Sequence, residues 1–151
     1  MHKTLLTGLI AVLLLTSFSC RKIFDRPEDK LEGKWWLQRA ERNSFVNWNT
    51  ITTGYENGSY TFSRNGDATY TDAQGSLTGR WDMYTVRDGY YDDNGDWQNR
   101  DKTVFKVNLH NFADNRVIDW FFEDCDFKGG NRFNAEYRTP SYRYRYRFIR
   151  Q

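Results

Sequence analysis

The chain has 151 residues, with 22 basic and 20 acidic side chains and a formal charge of +2. This length suits one domain with a continuous core. The near-zero charge gives no electrostatic reason to expect a nucleic-acid partner. Aromatic residues make up 18% of the chain, and because they favour strands over helices, the composition indicates an all-β protein.

Residues 1–19 have the layout of a secretory signal peptide. A basic start at Lys3 precedes an apolar segment over residues 5–15, and Cys20 follows a small residue. This junction resembles the lipobox of bacterial lipoproteins, although Ser17 stands where those motifs usually have Leu. The resemblance implies that Cys20 carries acyl chains such as palmitate, which would make membrane attachment stable. A plain secreted protein or a retained anchor is the alternative.

Residues 20–32 are predicted to form a lipidated tether, because the segment is charged, contains Pro27 and has little to bury. No Asp follows Cys20 directly, as it does in lipoproteins retained in the inner membrane. We therefore expect a lipid anchor in the outer membrane, on either its periplasmic or its cell-surface face. With Cys20 lipidated, Cys125 has no disulfide partner, and we expect a small buried residue rather than a reactive thiol.

Residues 58–84 show the architecture most plainly. Two turns, at residues 64–67 and 72–75, separate runs in which apolar and polar residues alternate, as in half-buried antiparallel strands. The pair Asn65-Gly66 predicts a type I′ turn, because both central residues of that turn need positive φ. Further strand candidates cover residues 33–41, 48–53, 104–112, 117–127, 134–137 and 142–149.

Strict alternation also predicts which side chains face the core. In the first strand it places Trp35, Leu37 and Arg39 on one face and Ala40 on the other. It places Leu77, Trp81 and Met83 together on one face of residues 76–84, and Phe105, Val107 and Leu109 together on one face of residues 104–112. Near residue 120 it places Phe122 on the face opposite Cys125.

Two motifs resemble those of a known family. Gly33-Lys34-Trp35 resembles the Gly-x-Trp with which lipocalins open their first strand. Phe62 and Tyr70, followed by Gly79-x-Trp81, are similar to a pattern in the small lipocalin-like lipoproteins of bacterial envelopes. The resemblance implies an antiparallel, up-and-down lipocalin-like barrel of about eight strands over residues 33–151.

The same resemblance carries three further expectations. The polar connection after the first strand should fold over one end of the barrel as a lid, with an ordinary surface loop as the alternative. An arginine late in the chain should pack over Trp35, with Arg145 and Arg147 as the candidates. A barrel of this size has an interior that is filled or holds one small ligand. The leading hypothesis is therefore non-catalytic binding of a small hydrophobic or amphipathic molecule, with simple packing of the interior as the alternative. The candidate cavity walls are Trp35, Phe62, Tyr70, Trp81 and Trp120.

The alternative function is a protein-binding module, either an envelope assembly partner or a hydrolase inhibitor, that uses its loops. Residues 88–101 form an acidic, turn-rich tip with clustered aromatic residues, which indicates a contact patch. Asp92, Asn94 and Asp96 have the spacing of the first ligands of a Ca²⁺ loop, but Trp97 replaces the required Gly and Thr103 the final Glu, so no metal is predicted. The partner-contact candidates are Phe45, Trp48, Tyr90, Tyr91 and Trp97.

Catalysis and nucleic-acid binding are not expected. After residue 20 the chain has one histidine, His110, and no nucleophile or nucleotide-binding motif, so neither catalytic residues nor a cofactor are predicted. Residues 142–149 interleave Tyr and Arg, a pattern that can stack nucleic-acid bases. An exported lipoprotein meets little RNA, however, and a half-buried strand needs the same alternation.

Overall fold

The computed structural model describes residues 26–44 and 47–151. This part of the chain forms one short helix and ten antiparallel strands in a single sheet, which confirms the predicted all-β class. The elements are α1 (Pro27–Leu31), β1 (Gly33–Ser44), β2 (Asn47–Ile51), β3 (Ser59–Phe62), β4 (Asp67–Asp72), β5 (Gly75–Tyr91), β6 (Trp97–Asn111), β7 (Arg116–Phe122), β8 (Asp124–Phe127), β9 (Arg132–Arg138) and β10 (Arg143–Arg150).

The strand order is β7-β6-β5-β4-β3-β1-β10-β9-β8, and β2 pairs with β1 outside this path. Most sheet neighbours are also chain neighbours, because short turns join them. Within the described residues the sheet has ten strands rather than eight, and no pairing of β7 with β8 closes it into a barrel. Only Glu123 separates these two end strands in the chain, because β7 pairs with β6 and its continuation β8 pairs with β9. The open sheet therefore curls until its ends meet at one corner.

The inner face of the curled sheet is an aromatic core. Rings from different strands meet edge to face, with centroid distances of 4.9 Å for Trp35 and Phe133 and 5.5 Å for Phe62 and Phe105. Such pairs add about 0.5–1.5 kcal/mol each beyond the burial of their area. The inward faces predicted for β5 and β6 are confirmed by the buried residues Leu77, Trp81, Met83, Phe105, Val107 and Leu109.

Strict alternation fails at two places. The register of β1 with β10 shifts between Leu37 and Arg39, so that Gln38 and Arg39 are both exposed and Ala40 is buried. The predicted faces of Arg39 and Ala40 were therefore wrong, because a bulge inserts one extra residue and inverts the side-chain pattern after it. At Glu123 the chain passes from β7 to β8, and Phe122 and Cys125 are buried on the same side.

The β3–β4 turn also differs from the prediction. Gly66 N–H donates to the Ser63 carbonyl at 3.0 Å, and Gly66 has φ of 84°. Among the described residues Asn115 is the only non-glycine with positive φ, so Asn65 does not adopt the conformation that a type I′ turn needs. The turn instead has Arg64 and Asn65 at its centre and places Gly66 in the left-handed position that follows.

Helix α1 closes one end of the core. Leu31 is fully buried, and the Trp35 indole donates to its carbonyl at 2.7 Å. The predicted tether is thus described from Arg26 onward, and its last part packs against the sheet. No helix in the described residues is long and apolar enough to cross a membrane.

The arginine over Trp35 is Arg150. Its guanidinium carbon lies 4.4 Å from the centroid of the indole, and its nitrogens donate to the Glu32 carbonyl at 2.7 Å and the Lys30 carbonyl at 2.6 Å. The expectation that Arg145 or Arg147 would fill this place was wrong. Those two side chains leave β10 on the outer face, where each forms an ion pair with a glutamate.

Candidate contact surface on the β5–β6 arm

The hairpin of β5 and β6 extends beyond the core. Its register runs from Thr78 opposite His110 to Tyr91 opposite Trp97, but the last core-facing pair is Met83 and Phe105. We call residues 85–103 the arm. The strands of the arm continue because their backbones pair with each other, although most of its side chains remain exposed.

Asp92 organises the turn at the tip of the arm. One of its carboxylate oxygens, Oδ1, accepts from the N–H groups of Asn94 and Asp96 at 3.0 Å each, and the other accepts from Gln98 Nε2 at 2.9 Å. The Gln98 amide and then the Asp96 N–H lower the pKa of the Asp92 carboxyl. Within residues 26–44 and 47–151, no group of three or more His, Cys, Asp or Glu is placed to hold a metal ion.

Three aromatic side chains are exposed next to this turn. Tyr90 is 49% exposed, Tyr91 70% and Trp97 56%. The rings of Tyr91 and Trp97 lie edge to face across the strand pair, with centroids 4.9 Å apart. A Cβ at Gly89 would overlap the Trp97 indole, so glycine at this position leaves the space that the ring occupies. The tip therefore presents an ordered aromatic pair rather than loose side chains.

Ion pairs stiffen the stem of the arm. Arg87 pairs with Asp101 at 3.5 Å, Lys102 pairs with Asp88, and Arg100 reaches Asp124 of β8 at 3.3 Å. These pairs are largely exposed, so each contributes about 1 kcal/mol or less. They do, however, hold the two strands in register.

The arm and the N-terminal segment lie at the same end of the domain. Pro27 and Lys30 of α1 share a surface pocket with Thr85 and Thr103, which are the first and last pair of the arm. Helix α1 therefore lies at the base of the arm. The first residue of the predicted tether, Cys20, lies outside the described residues.

The structure brings the five cavity-wall candidates into one core. Trp35, Phe62 and Tyr70 are fully buried, Trp81 is buried, and Trp120 is half-buried. Phe62 and Trp81 touch edge to face at 5.9 Å, so these side chains pack against other rings. A pocket of 370 Å³ lies instead at the rim around residues 138–143, and none of the five lines it.

Residues 52–58 fold over the end of the core opposite α1. The Tyr55 ring lies edge to face on Tyr70 at 5.4 Å and on Trp120 at 5.9 Å, and its hydroxyl donates to the Val117 carbonyl at 2.8 Å. Burial raises the pKa of Tyr60 and of Tyr70, so both phenols stay protonated at neutral pH. Sequence reasoning missed Tyr55, and its only signal is an aromatic residue within a polar connection.

The remaining candidates lie apart from the arm. Trp48 on β2 is half-buried, with the Arg145 guanidinium carbon 4.1 Å from its ring centroid, and Phe45 lies outside the described residues. Cys125 is free and buried as predicted, and burial raises the pKa of its thiol. The His110 ring lies tilted against the exposed Phe112 at a centroid distance of 4.2 Å. Of the partner-contact candidates, the structure therefore unites Tyr90, Tyr91 and Trp97 only.

Comparisons with protein-family models, with curated proteins and with solved structures found no match for this chain.

Proposed function

We propose that this protein is a lipid-anchored, non-catalytic protein-binding module of the cell envelope that contacts its partner through the arm. The observation that carries this proposal is the exposed edge-to-face pair of Tyr91 and Trp97 at the tip. Tyr and Trp dominate the energetically important residues of protein interfaces. The Trp97 ring already packs beside Gly89 and against Tyr91, so the pair loses little conformational freedom on binding.

The position of the arm supports a partner met at the membrane surface. Arg26 lies six positions after Cys20, and six fully extended residues span about 20 Å. Tyr91 likewise lies six positions after Thr85, so the strand extends about 20 Å from the base of the arm. A lipid on Cys20 would therefore allow the tip to reach the plane in which the lipid is anchored.

Site-specific photocrosslinking in the native envelope tests the contact. We expect a photoreactive residue at position 97 to give a discrete protein adduct, and we expect the Tyr91→Ala substitution to reduce its yield. The matched control is position 112, because Phe112 is 85% exposed but lies in the β6–β7 turn away from the arm. Equal adduct patterns from both positions would contradict a specific contact at the tip.

The anchor has its own test. We propose that residues 1–19 are removed as a signal peptide and that Cys20 becomes the lipidated first residue in the outer membrane. Cys20→Ala should abolish globomycin-sensitive processing and release the protein from the membrane fraction. If the variant sediments with membranes as the parent does, lipidation at Cys20 is wrong.

A lipocalin-like carrier of a small apolar ligand is the second candidate. Two observations favour it: Arg150 packs over Trp35, as the family resemblance implies, and residues 52–58 fold over one end of the core. Binding would require Tyr55 to leave its contacts with Tyr70 and Trp120. Native mass spectrometry of protein purified from its own host should then show a bound mass of lipid size, whereas a clean apo mass argues against a carrier.

A further inference from the structure

The near-zero net charge hides two regions of opposite sign. Residues 67–127 contain thirteen acidic and six basic side chains, whereas residues 128–151 contain seven basic side chains and one acid, Glu136. The basic region forms β9, β10 and the turns beside them. An uneven distribution of this kind creates a local positive potential although the whole domain is nearly neutral.

A pocket of about 220 Å³ lies on this basic region, and we call it the bulge pocket. It lies beside the bulge of β1, where the extra residue turns Gln38 outward next to Arg39. The polar side chains that line it all carry N–H donors, and no carboxylate lines it. These side chains are Gln38, Lys128, Arg132, Asn134 and Arg147.

We propose that the bulge pocket binds a tetrahedral oxyanion, a phosphate or sulfate group. Two guanidinium groups and one ammonium group supply charge-assisted hydrogen bonds, and arginine matches the oxygen pairs of a phosphate in a bidentate manner. The amides of Gln38 and Asn134 add neutral donors from the two flanking strands. A bulge commonly re-aims side chains at a site of this kind.

The protein's own carboxylates leave part of this charge free. The buried Glu41 forms ion pairs with Arg147 at 2.9 Å and with Arg39 at 3.4 Å, and Asp126 pairs with Lys128. Arg132 has no ion pair within the described residues, and Arg147 Nε has no hydrogen-bond acceptor there. A bound oxyanion would supply the missing acceptor for Arg132.

Titration of the protein as purified from its own host, in detergent, tests the site. Sodium sulfate and sodium phosphate are added against sodium chloride at matched ionic strength, and the Nε–H signals of Arg132 and Arg147 are followed by NMR. We expect saturable shifts with the oxyanions only. Arg132→Ala should weaken the affinity by about tenfold or more, since hydrogen bonds to charged groups are worth about 1.5–3 kcal/mol.

Arg138→Ala is the matched control, because Arg138 is an exposed arginine of the same strand that does not line the bulge pocket. It removes the same charge and should change the affinity by less than about twofold. Equal losses in both variants would mean diffuse attraction to the basic region and would overturn the proposal. An absence of saturable shifts with every probe would overturn it as well.

A second titration separates a free anion from a lipid head group. The same protein is placed in phosphatidylcholine nanodiscs with and without phosphatidic acid, which carries a phosphate monoester. Shifts of Arg132 that require phosphatidic acid support the site with a head group as its ligand, and shifts that require only soluble phosphate support it with a free anion. This site does not involve the arm, so failure of either proposal leaves the other intact.

Discussion

Two hairpin turns of this protein share a sequence and a geometry but differ in their surroundings. Residues 63–67 and residues 92–96 both end in Asn-Gly-Asp. In each, the glycine donates to the carbonyl three residues before it, and its φ is close to 80°, with 84° at Gly66 and 82° at Gly95. The same local chemistry therefore forms one turn in the body of the domain and one at the tip of the arm.

The body turn rests on the neighbouring strand β5. Trp81 donates its backbone N–H to the Gly66 carbonyl and its indole N–H to the Ser63 carbonyl, both at 2.9 Å. Arg80 adds an ion pair with Asp67 at 2.9 Å. These contacts link the turn to the core, so it should open only when the whole domain unfolds.

Within the part of the chain that the structure describes, the tip turn has no such neighbour. It is held by Asp92, Gln98 and the ring pair beside it, all of which belong to the arm itself. The arm should therefore open locally at a lower free energy than the domain unfolds. Local sequence determines the turn, whereas tertiary contacts determine whether its stability is global.

The largest effect is expected from the two tryptophans that accompany these turns. Trp81→Ala should lower the free energy of unfolding by about 3–5 kcal/mol, because it removes a buried ring and the indole hydrogen bond to the Ser63 carbonyl of the body turn. Trp97→Ala removes a half-exposed ring and should cost less than about 1 kcal/mol. Urea denaturation measures both values, and similar losses in the two variants would contradict the distinction.

Substitution of Gly66 in the body turn should likewise lower the free energy of unfolding more than substitution of Gly95 in the tip turn. Alanine at either position costs about 1–2 kcal/mol of local strain, because both glycines have positive φ. Gly66→Ala should lose at least this much globally, since its Cβ would also lie 2.9 Å from Arg80 Nη2. In Gly95→Ala the new Cβ meets no described atom within 4 Å. The arm can open locally to relieve the strain, so the free energy of global unfolding should fall by no more than the free energy of opening the arm.

Hydrogen exchange separates these two outcomes. Gly66→Ala should speed exchange of the slowest core amides, whereas Gly95→Ala should speed exchange of the arm amides alone. If Gly95→Ala destabilises the core amides as much as Gly66→Ala does, the arm and the body unfold as one unit.

The sequence predicted the features of the fold that follow from the alternation of apolar and polar residues along a strand. The inward residues of β5 and β6 were predicted because each strand has one solvent-exposed and one buried face where it packs on the core. The resulting alternation can be read from neighbouring residues alone. The length of the arm was not predicted, because both of its faces are exposed to solvent and apolar residues do not recur at every second position of its strands. Hydrophobic patterning detects a strand only where the strand packs on a core.

The bulge pocket and the arginine over Trp35 escaped prediction for a related reason. Nothing in residues 33–41 shows where the extra residue of the bulge lies, because Gln38 and Arg39 are both ordinary surface residues. Arg150, not Arg145 or Arg147, covers Trp35, and that choice depends on the register of β1 with β10. Register over a long sequence separation is a tertiary property.

A smaller effect is expected at Gly89. Gly89→Ala places a methyl group where the Trp97 indole lies, so the ring must leave the strand pair and its contact with Tyr91. The free energy of unfolding should change by less than about 1 kcal/mol, because the site is on the arm. Loss of the ring-current shifts on Tyr91 in NMR spectra measures the displacement. The control is Asn99→Ala on the opposite strand, which should leave those shifts in place.

The smallest effect is expected from protonation of Asp92. Its pKa in the folded protein is lowered, first by the Gln98 amide and then by the Asp96 N–H, so the ionised carboxylate stabilises the tip turn. This contribution is present above the ordinary carboxyl pKa near 4 and should be lost as the pH falls through the lowered value.

Gln98→Ala should bring the pKa of Asp92 closer to the ordinary value, because it removes the side chain that lowers this pKa most. Carbon NMR of the Asp92 carboxyl measures the titration, and hydrogen exchange of the tip amides should accelerate in the same pH range. The body turn should keep its protection over that range, because the hydrogen bonds that Trp81 donates to it do not titrate. A tip turn that is equally protected on both sides of the titration would show that Asp92 does not hold the arm in shape.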